Sequence, residues 1–496
     1  MDRHLSAPQL ARLVRSGVGD GTGNGAGKGA GKGIGKGTGD APGARPYYRA
    51  LADAVRGLVL DGRLAVGVRL PAERHLAESL GVSRTTVTAA YDRLREQGYL
   101  ESRQGSGSRA ALPDAGALGT DNPWLASDDG LLPLHAAAPA ATALLGEAIE
   151  EAGRAYHRYA LGMGYHPAGL APLREAIARR YGERGLPTRP EQILVTAGAQ
   201  QAVHLLMSVF AGPGDPVLVE SPTYPHALDA ARMRGARLVP VGVEEDGWHL
   251  DLVSGAMRQS AARLAYVIPD FQNPTGHLMA DGTRAELVEA ARRHGVTLIA
   301  DESWAEIVLD ETARAAPLAA FDTDGRVISV GSASKLWWGG LRVGWIRASA
   351  ATVRRLAVLR AAVDIAGAVF EQLVVARLFE RIEEARAERR RTLGASCAAL
   401  AAVLREELPG WAFRVPRGGG SLWVRLDGLV ASSVAGAAAA RGVRLAPGPW
   451  FGVDGTLEGY LRLPFTQPPA VLEEAVRRIA RDPAGYRPAE PLTPTL

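Results

Sequence analysis

Gly331-Ser332-Ala333-Ser334-Lys335-Leu336-Trp337-Trp338-Gly339-Gly340-Leu341-Arg342 is the stretch on which the reading of this chain turns. Lys335 is one of four lysines among 496 residues, and the other three, Lys28, Lys32 and Lys36, stand in a glycine-rich segment near the start. Everywhere else the chain uses arginine as its cation, so this lysine points to chemistry a guanidinium cannot do. A desolvated amine loses its proton and attacks a carbonyl. Ser332, Ser334 and Arg342, set among glycines that permit close backbone approach, are donors suited to a phosphate. An aldehyde that carries a phosphate and is held as a lysine Schiff base is pyridoxal 5'-phosphate, PLP. Alone, the stretch also fits a surface loop on which one lysine survived by chance; the rest of the chain decides.

Working outward, apolar runs of strand length precede most of the polar residues such a site needs. Strands are predicted at Ile193–Thr196, Val217–Glu220, Leu238–Val241, Leu264–Ile268, Thr297–Ala300 and Val327–Val330, with helices such as Thr283–His294 between them. That alternation predicts an α/β domain with a mostly parallel central sheet. Thr196-Ala197-Gly198-Ala199-Gln200 links a strand to a helix, so the backbone N–H groups of Ala199 and Gln200 are placed to hold a phosphate. Tyr224 follows a second strand, where its ring would stack on a pyridine. Asn273, in Asn273-Pro274-Thr275-Gly276, would donate to a phenolate oxygen. Asp301 ends the run Val296–Ala300, where a carboxylate pairs with a pyridinium N–H. Beyond Leu341–Ile346, the charged stretch Glu371–Glu407 leads to a smaller C-terminal α+β subdomain with strands near Ser421–Leu426 and Tyr460–Leu463.

A chain of this length carries two or three domains. Its single cysteine, Cys397, excludes an intramolecular disulfide and suits a reducing cytoplasm. No apolar signal-peptide core opens the chain, and no run of eighteen apolar residues marks a membrane span. The first 110 residues hold seventeen Lys/Arg against ten Asp/Glu, while the net charge of the whole chain is only +4. A basic front on a mildly acidic body suits a front end that meets nucleic acid.

That front end divides at about residue 46. Residues 1–45 comprise a short helix over Leu5–Val14 and the Gly/Lys-rich segment from Gly17 to Gly43. The latter cannot offset its ordering entropy by burial and is expected to be disordered, serving either as a spacer or as a weak attractor of DNA phosphates. Residues 46–110 predict a helix over Tyr47–Leu60, a short helix over Glu73–Leu80, and a second over Arg84–Gln97 capped by Ser83. The tight Leu80-Gly81-Val82-Ser83 connection makes these two a helix-turn-helix, and Tyr99–Arg103 with the turn Gln104-Gly105-Ser106-Gly107 makes a wing. Residues 111–130 are a linker, 131–485 the large domain, and 486–496 a tail.

Residues 46–110 resemble the GntR winged-helix family through Arg69-Leu70-Pro71-Ala72-Glu73-Arg74, Leu80–Val87, Gly98-Tyr99-Leu100 and Gly105-Ser106-Gly107. The resemblance implies that Arg74, Ser83, Arg84, Thr85 and Thr86 face DNA, and that Gln104 and Gly105 set the wing against it; the bland alternative is a three-helix interaction module. The order Gly198, Tyr224, Asn273, Asp301, Lys335, Arg342 resembles fold-type I PLP enzymes of the aspartate aminotransferase kind. It implies an internal aldimine at Lys335, phosphate held by Ser332, Ser334 and Arg342, and Tyr165 reaching the phosphate of a partner subunit. It further implies a substrate carboxylate gripped by Arg462, which by itself also suits a strand-edge surface position. One departure stands out: Trp304, in Asp301-Glu302-Ser303-Trp304, replaces the tyrosine that bonds the cofactor in many such enzymes.

The combination resembles the MocR family of bacterial regulators. It implies a cytoplasmic, nucleoid-associated homodimer that binds operator DNA and senses an amino compound, or PLP itself, at Lys335. The competing reading is a working aminotransferase with an accessory DNA-binding head.

Overall fold

The computed structural model describes residues 4–18, 47–60, 63–64, 66–103, 107–111, 130–453 and 455–481. They fall into two compact units, a head within Met1–Leu118 and a body that takes nearly all of the remainder.

In the head, helices Ala7–Val18, Tyr47–Leu60, Glu73–Leu80 and Arg84–Glu96 precede an antiparallel ribbon, Leu100–Arg103 with Gly107–Ala110. Gly81 ends the third helix in the left-handed conformation, φ 74°, that glycine adopts without steric cost. Leu76, Leu80, Val87, Tyr91 and Leu94 fill the core between the two short helices. The front helix runs Ala7–Val18 rather than Leu5–Val14, and its Leu10, Leu13 and Val14 are buried with Leu51, Val55 and Leu76. A boundary at residue 46 therefore separates the head from a helix that contributes to its core; so short an amphipathic helix is marginal unless packed. The wing tip with Gln104 and Gly105, most of the Gly/Lys-rich segment, nearly all of the linker and the C-terminal tail lie outside the described residues.

The body is organised by an eight-stranded sheet. Its order is Ile193–Thr196, Gly344–Arg347, Val327–Ser332, Thr297–Asp301, Leu264–Val267, Pro216–Ser221, Arg237–Glu244, Gly247–Trp248. The five strands from Val327–Ser332 through Arg237–Glu244 are parallel, while Gly344–Arg347 runs antiparallel to both its neighbours. Alternate residues serve opposite cores, as the period of two demands: Ile193, Val195, Ala265, Val267 and Leu298 pack on one face, Leu194, Leu264, Tyr266 and Ile299 on the other. Burial on both faces explains why these strands read as nearly continuous apolar runs.

A five-stranded sheet forms the smaller subdomain, in the order Trp411–Phe413, Ser421–Leu426, Tyr460–Pro464, Val443–Pro447, Leu132–Leu134. Its last strand comes from the start of the body and pairs in parallel with Val443–Pro447. This crossing carries residues 135–140 past the carboxyl ends of the large sheet. Among the described residues, no helix is long and apolar enough to cross a membrane.

Candidate functional site

On the head, Ser83 caps the recognition helix: its Oγ accepts from the Thr86 N–H at 3.1 Å and lies within hydrogen-bond distance of the Thr85 and Thr86 hydroxyls. Arg74, Ser83, Arg84 and Thr85 are exposed, and Thr86 is half-buried. Glu73, which sequence reasoning did not single out, is the hub beside them. It accepts from Thr88 Oγ1 at 2.7 Å and lies 4.0 Å from Arg84 Nε and 3.5 Å from Arg95 Nη2. The helix start thus presents cations and hydroxyls outward, as a helix entering a DNA groove does.

In the body, parallel strands bring the predicted residues to one edge of the sheet, since all their carboxyl ends point the same way. Register places Thr196 and Ser332 on either side of Gly344, and Asp301 beside Val330. Gly198 has φ 96°, a conformation that residues with side chains rarely adopt, and a Cβ there would stand 2.7 Å from Arg342 Nη2 and displace that guanidinium. Arg342 donates to the Ala197 and Gly339 carbonyls at 3.0 and 3.3 Å, so its guanidinium covers the turn that starts helix Ala199–Phe210. Arg342 is itself left-handed, φ 50°, a conformation uncommon for its type. Ser332 Oγ accepts from the Ser334 N–H at 3.1 Å, closing the loop next to this cradle. Gln200 donates to the His226 carbonyl, while its Oε1 is buried without a hydrogen-bond partner among the described residues.

Lys335 Nζ donates to the Ala137 carbonyl at 2.8 Å and lies 4.9 Å from the centre of the Trp304 ring. Burial and the positive Arg462 push its pKa down to about 8 against the opposing pull of Asp301, so a useful share of the amine is neutral near physiological pH. Asp301 is buried, accepting from Tyr266 Oη at 2.6 Å and the Ser303 N–H at 2.9 Å. Tyr224 stands at the start of the helix Pro225–Met233; burial and then Asp301 raise its pKa, keeping the phenol protonated.

Arg462 is 2% exposed, which rules out the strand-edge surface alternative. One guanidinium nitrogen donates to Asn273 Oδ1 at 3.2 Å and another to the His135 carbonyl, and the group lies 4.7 Å from the Phe451 ring centre. Its Nε has no partner among the described residues, a buried donor left available. Burial lowers its pKa to about 10, which still leaves it charged at neutral pH. Tyr165 stands apart from this cluster, 65% exposed, near Leu161 and Met163 at 89% each.

Four further contributors escaped the sequence reading. Arg389 donates to the Leu336, Trp337 and Ala140 carbonyls at 2.8, 2.7 and 2.6 Å, clamping the Lys335 loop. Glu220 accepts from Trp248 Nε1 at 2.7 Å, the Ile268 N–H at 3.1 Å and Gln272 Nε2 at 3.0 Å, and so braces the loop carrying Asn273. Burial pushes its pKa up to about 7. Tyr266 is the third; the fourth is the segment 135–140, whose His135, Ala137 and Ala140 carbonyls accept from Arg462, Lys335 and Arg389. Glu220 had a signal, a lone carboxylate ending the run Val217-Leu218-Val219, as Asp301 ends its own run.

A lysine with a depressed pKa, a carboxylate held for a cationic ring nitrogen, and a glycine turn under an arginine at a helix N-terminus fit PLP. Among the described residues, the buried Arg462 Nε of the same set is a donor without a partner.

Comparison with known proteins agrees. Residues 126–479 match the family "Aminotransferase class I and II", and residues 47–109 match "Bacterial regulatory proteins, gntR family". The chain is 28% identical over 408 residues to the HTH-type transcriptional regulator YisV of Bacillus subtilis (strain 168), covering 76% of this chain and 84% of that one. It is 33% identical over 328 residues to the probable rhizopine catabolism regulatory protein MocR of Rhizobium meliloti, covering 61% of this chain and 65% of that one. Among solved structures it resembles LysN, the alpha-aminoadipate aminotransferase of Thermus thermophilus, complexed with N-(5'-phosphopyridoxyl)-L-leucine. The TM-score is 0.67 at 31% identity, over 72% of this chain and 93% of that one.

Proposed function

The chain belongs to the class I and II aminotransferase family, with a GntR-family head placed before it as in MocR-type regulators, and on that premise we propose that it is a transcriptional regulator whose body senses an amino compound at Lys335. The head makes it a DNA-binding protein, and PLP is its cofactor. When bound, PLP supplies an aldehyde open to primary amines and a ring that withdraws electrons.

The chain's own residues divide the work. Gly198, Ala199, Gln200, Ser332, Ser334 and Arg342 hold the phosphate; Asp301, held by Tyr266, keeps the ring nitrogen protonated; Tyr224 and Asn273 fix the ring. Lys335 anchors the cofactor and, at a pKa of about 8, gives up or takes a proton within the working range. Arg462 orients a carboxylate-bearing amine by a paired hydrogen bond. In this reading Tyr165 completes the phosphate site of a second copy, which makes the working form a homodimer; its exposure and that of the apolar Leu161 and Met163 support such a contact.

The observation that carries the sensor reading is Trp304, buried against the lysine. An indole with one donor replaces a phenol that would tune the ring, and a sensor gains nothing by consuming its signal quickly. The complete set Lys335, Asp301 and Arg462 favours the enzyme reading. Absorbance titration with amino acids, beside keto-acid release under multiple turnover and operator binding, separates the two. A spectral shift with altered operator occupancy and little product is expected. Sustained turnover at roughly 1–10³ per second, with operator binding indifferent to the amine, would sink the sensor reading. A change in operator binding on loading PLP alone, without any amine, would identify PLP itself as the signal.

A further inference from the structure

We propose that Trp304 is a positioning residue that reports the bonding state of Lys335 to the smaller subdomain through its packing against Gly420. This inference rests on the sensor reading above and assigns the element through which that sensor speaks.

The geometry gives the path. Trp304 is 4% exposed and has the Lys335 Nζ 4.9 Å from its ring centre on one side. Gly420 borders it elsewhere so closely that a Cβ there would stand 2.2 Å from Trp304 Cη2. Gly418 is similarly tight on Phe271: a Cβ there would stand 2.4 Å from that ring. The strap Arg417–Gly420 is tied to the turn after Trp304: the Gly419 N–H donates to the Ile307 carbonyl at 2.9 Å, and the Leu309 N–H to the Arg417 carbonyl at 3.0 Å. At its far end the Phe465 N–H donates to the Gly420 carbonyl at 3.0 Å, just past the strand Tyr460–Pro464 that carries Arg462. Lysine amine, indole, glycine strap and Arg462 strand form one contiguous line of contacts.

The chemistry gives the switch. When a primary amine takes the lysine's place on the aldehyde carbon, its C=N bond forms as the lysine's C=N bond breaks. The incoming nitrogen's two protons end on Lys335 Nζ, with no oxidation or reduction. A third proton from solvent makes the freed lysine an ammonium, which the face of an indole attracts. The lysine carries no such free ammonium while it is bound. The two states therefore differ in their interaction with Trp304, which is what a signal requires. A ring packed without free space against Gly420 passes a small shift to the strap.

The test uses the full-length, PLP-loaded protein and aminooxyacetate, a carboxylate-bearing probe that captures the aldehyde and frees Lys335. Capture is read from the cofactor absorbance, and the strap from hydrogen exchange of peptides covering 417–422 and 460–465. In the wild type, capture should change exchange in these peptides several-fold. In Trp304→Leu and Gly420→Ala the absorbance should still shift, while the exchange change falls to within error of zero; Trp304→Phe, which keeps an aromatic face, should retain part of it. Unchanged exchange responses in Trp304→Leu and Gly420→Ala overturn the inference and leave the sensor reading standing. Loss of the absorbance shift in those variants also overturns it, since Trp304 would then serve capture itself. A wild-type protein whose absorbance does not respond sinks the sensor reading, and this inference with it.

Discussion

The head and the body solve the problem of placing functional groups in opposite ways. In the head, Arg74, Ser83, Arg84, Thr85 and Thr86 lie within thirteen consecutive residues, and four of them are exposed. Their geometry follows from one turn and one cap. In the body, Lys335 bonds to a carbonyl 198 residues earlier and Arg462 to one 327 residues earlier. Local geometry suffices to read a phosphate backbone and base edges from outside. Shifting an amine to a pKa of about 8 takes burial and neighbouring charge, and these come only from distant parts of the chain. Substitutions should therefore act locally in the head and propagate in the body.

The largest effect expected is at Lys335. Lys335→Ala should keep the fold but lose all borohydride-fixed cofactor, whereas the wild type should yield one modified peptide containing Lys335. Fixation to Lys28, Lys32 or Lys36 instead would break the contrast, because a lysine outside the body would then be doing the body's work. Next, Arg462→Ala should weaken the spectral response to carboxylate-bearing amines by about 2–4 kcal/mol, the cost of losing a charge-assisted pair in a buried site. Operator affinity without amine should stay as it was; a parallel loss would mean that Arg462 supports the fold instead.

Glu220 sharpens the comparison through pH. Its pKa is raised from 4.5 to about 7 in the folded protein, so the folded state holds this proton more tightly than the unfolded chain. The associated stability is full below about pH 4.5 and is lost as pH rises through 7, by about 1–3 kcal/mol. Thermal denaturation of Glu220→Gln between pH 5 and 8 should show a flatter profile than the wild type; equal slopes would refute the assignment. Arg84→Ala should cost about 1–3 kcal/mol of discrimination at one base pair if it reads a guanine, measured by binding to single-base operator variants, with the cofactor spectrum untouched. The smallest effect should come from Ser83→Ala, which removes a helix cap worth about 1 kcal/mol. It should lower the melting temperature of the head by a few degrees; a change in PLP binding would contradict the separation of roles.

By itself the sequence indicated the head's helices and six strands of the large sheet, most of them to within two residues, and it marked candidate side chains for the chemistry. It could do so because a strand buried on both faces must be apolar throughout, so a polar residue at its carboxyl end stands out, as Asp301 does after Val296–Ala300. Parallel pairing then sends every such end to one edge. Tertiary structure alone decided the rest. The segment 135–140 receives Lys335 and Arg462 with backbone carbonyls, which every residue type possesses, so the run His135-Ala136-Ala137-Ala138-Pro139-Ala140 bears no mark of its use. The clamp by Arg389 looked like one arginine among many on a charged helix until its three carbonyl partners were in view. Gly420 read as part of a glycine run, and only the Trp304 ring 2.2 Å from where its Cβ would stand shows that a larger residue must push that ring aside. Side-chain chemistry is written in residue identity, whereas carbonyl direction and free volume come into being only when distant segments meet.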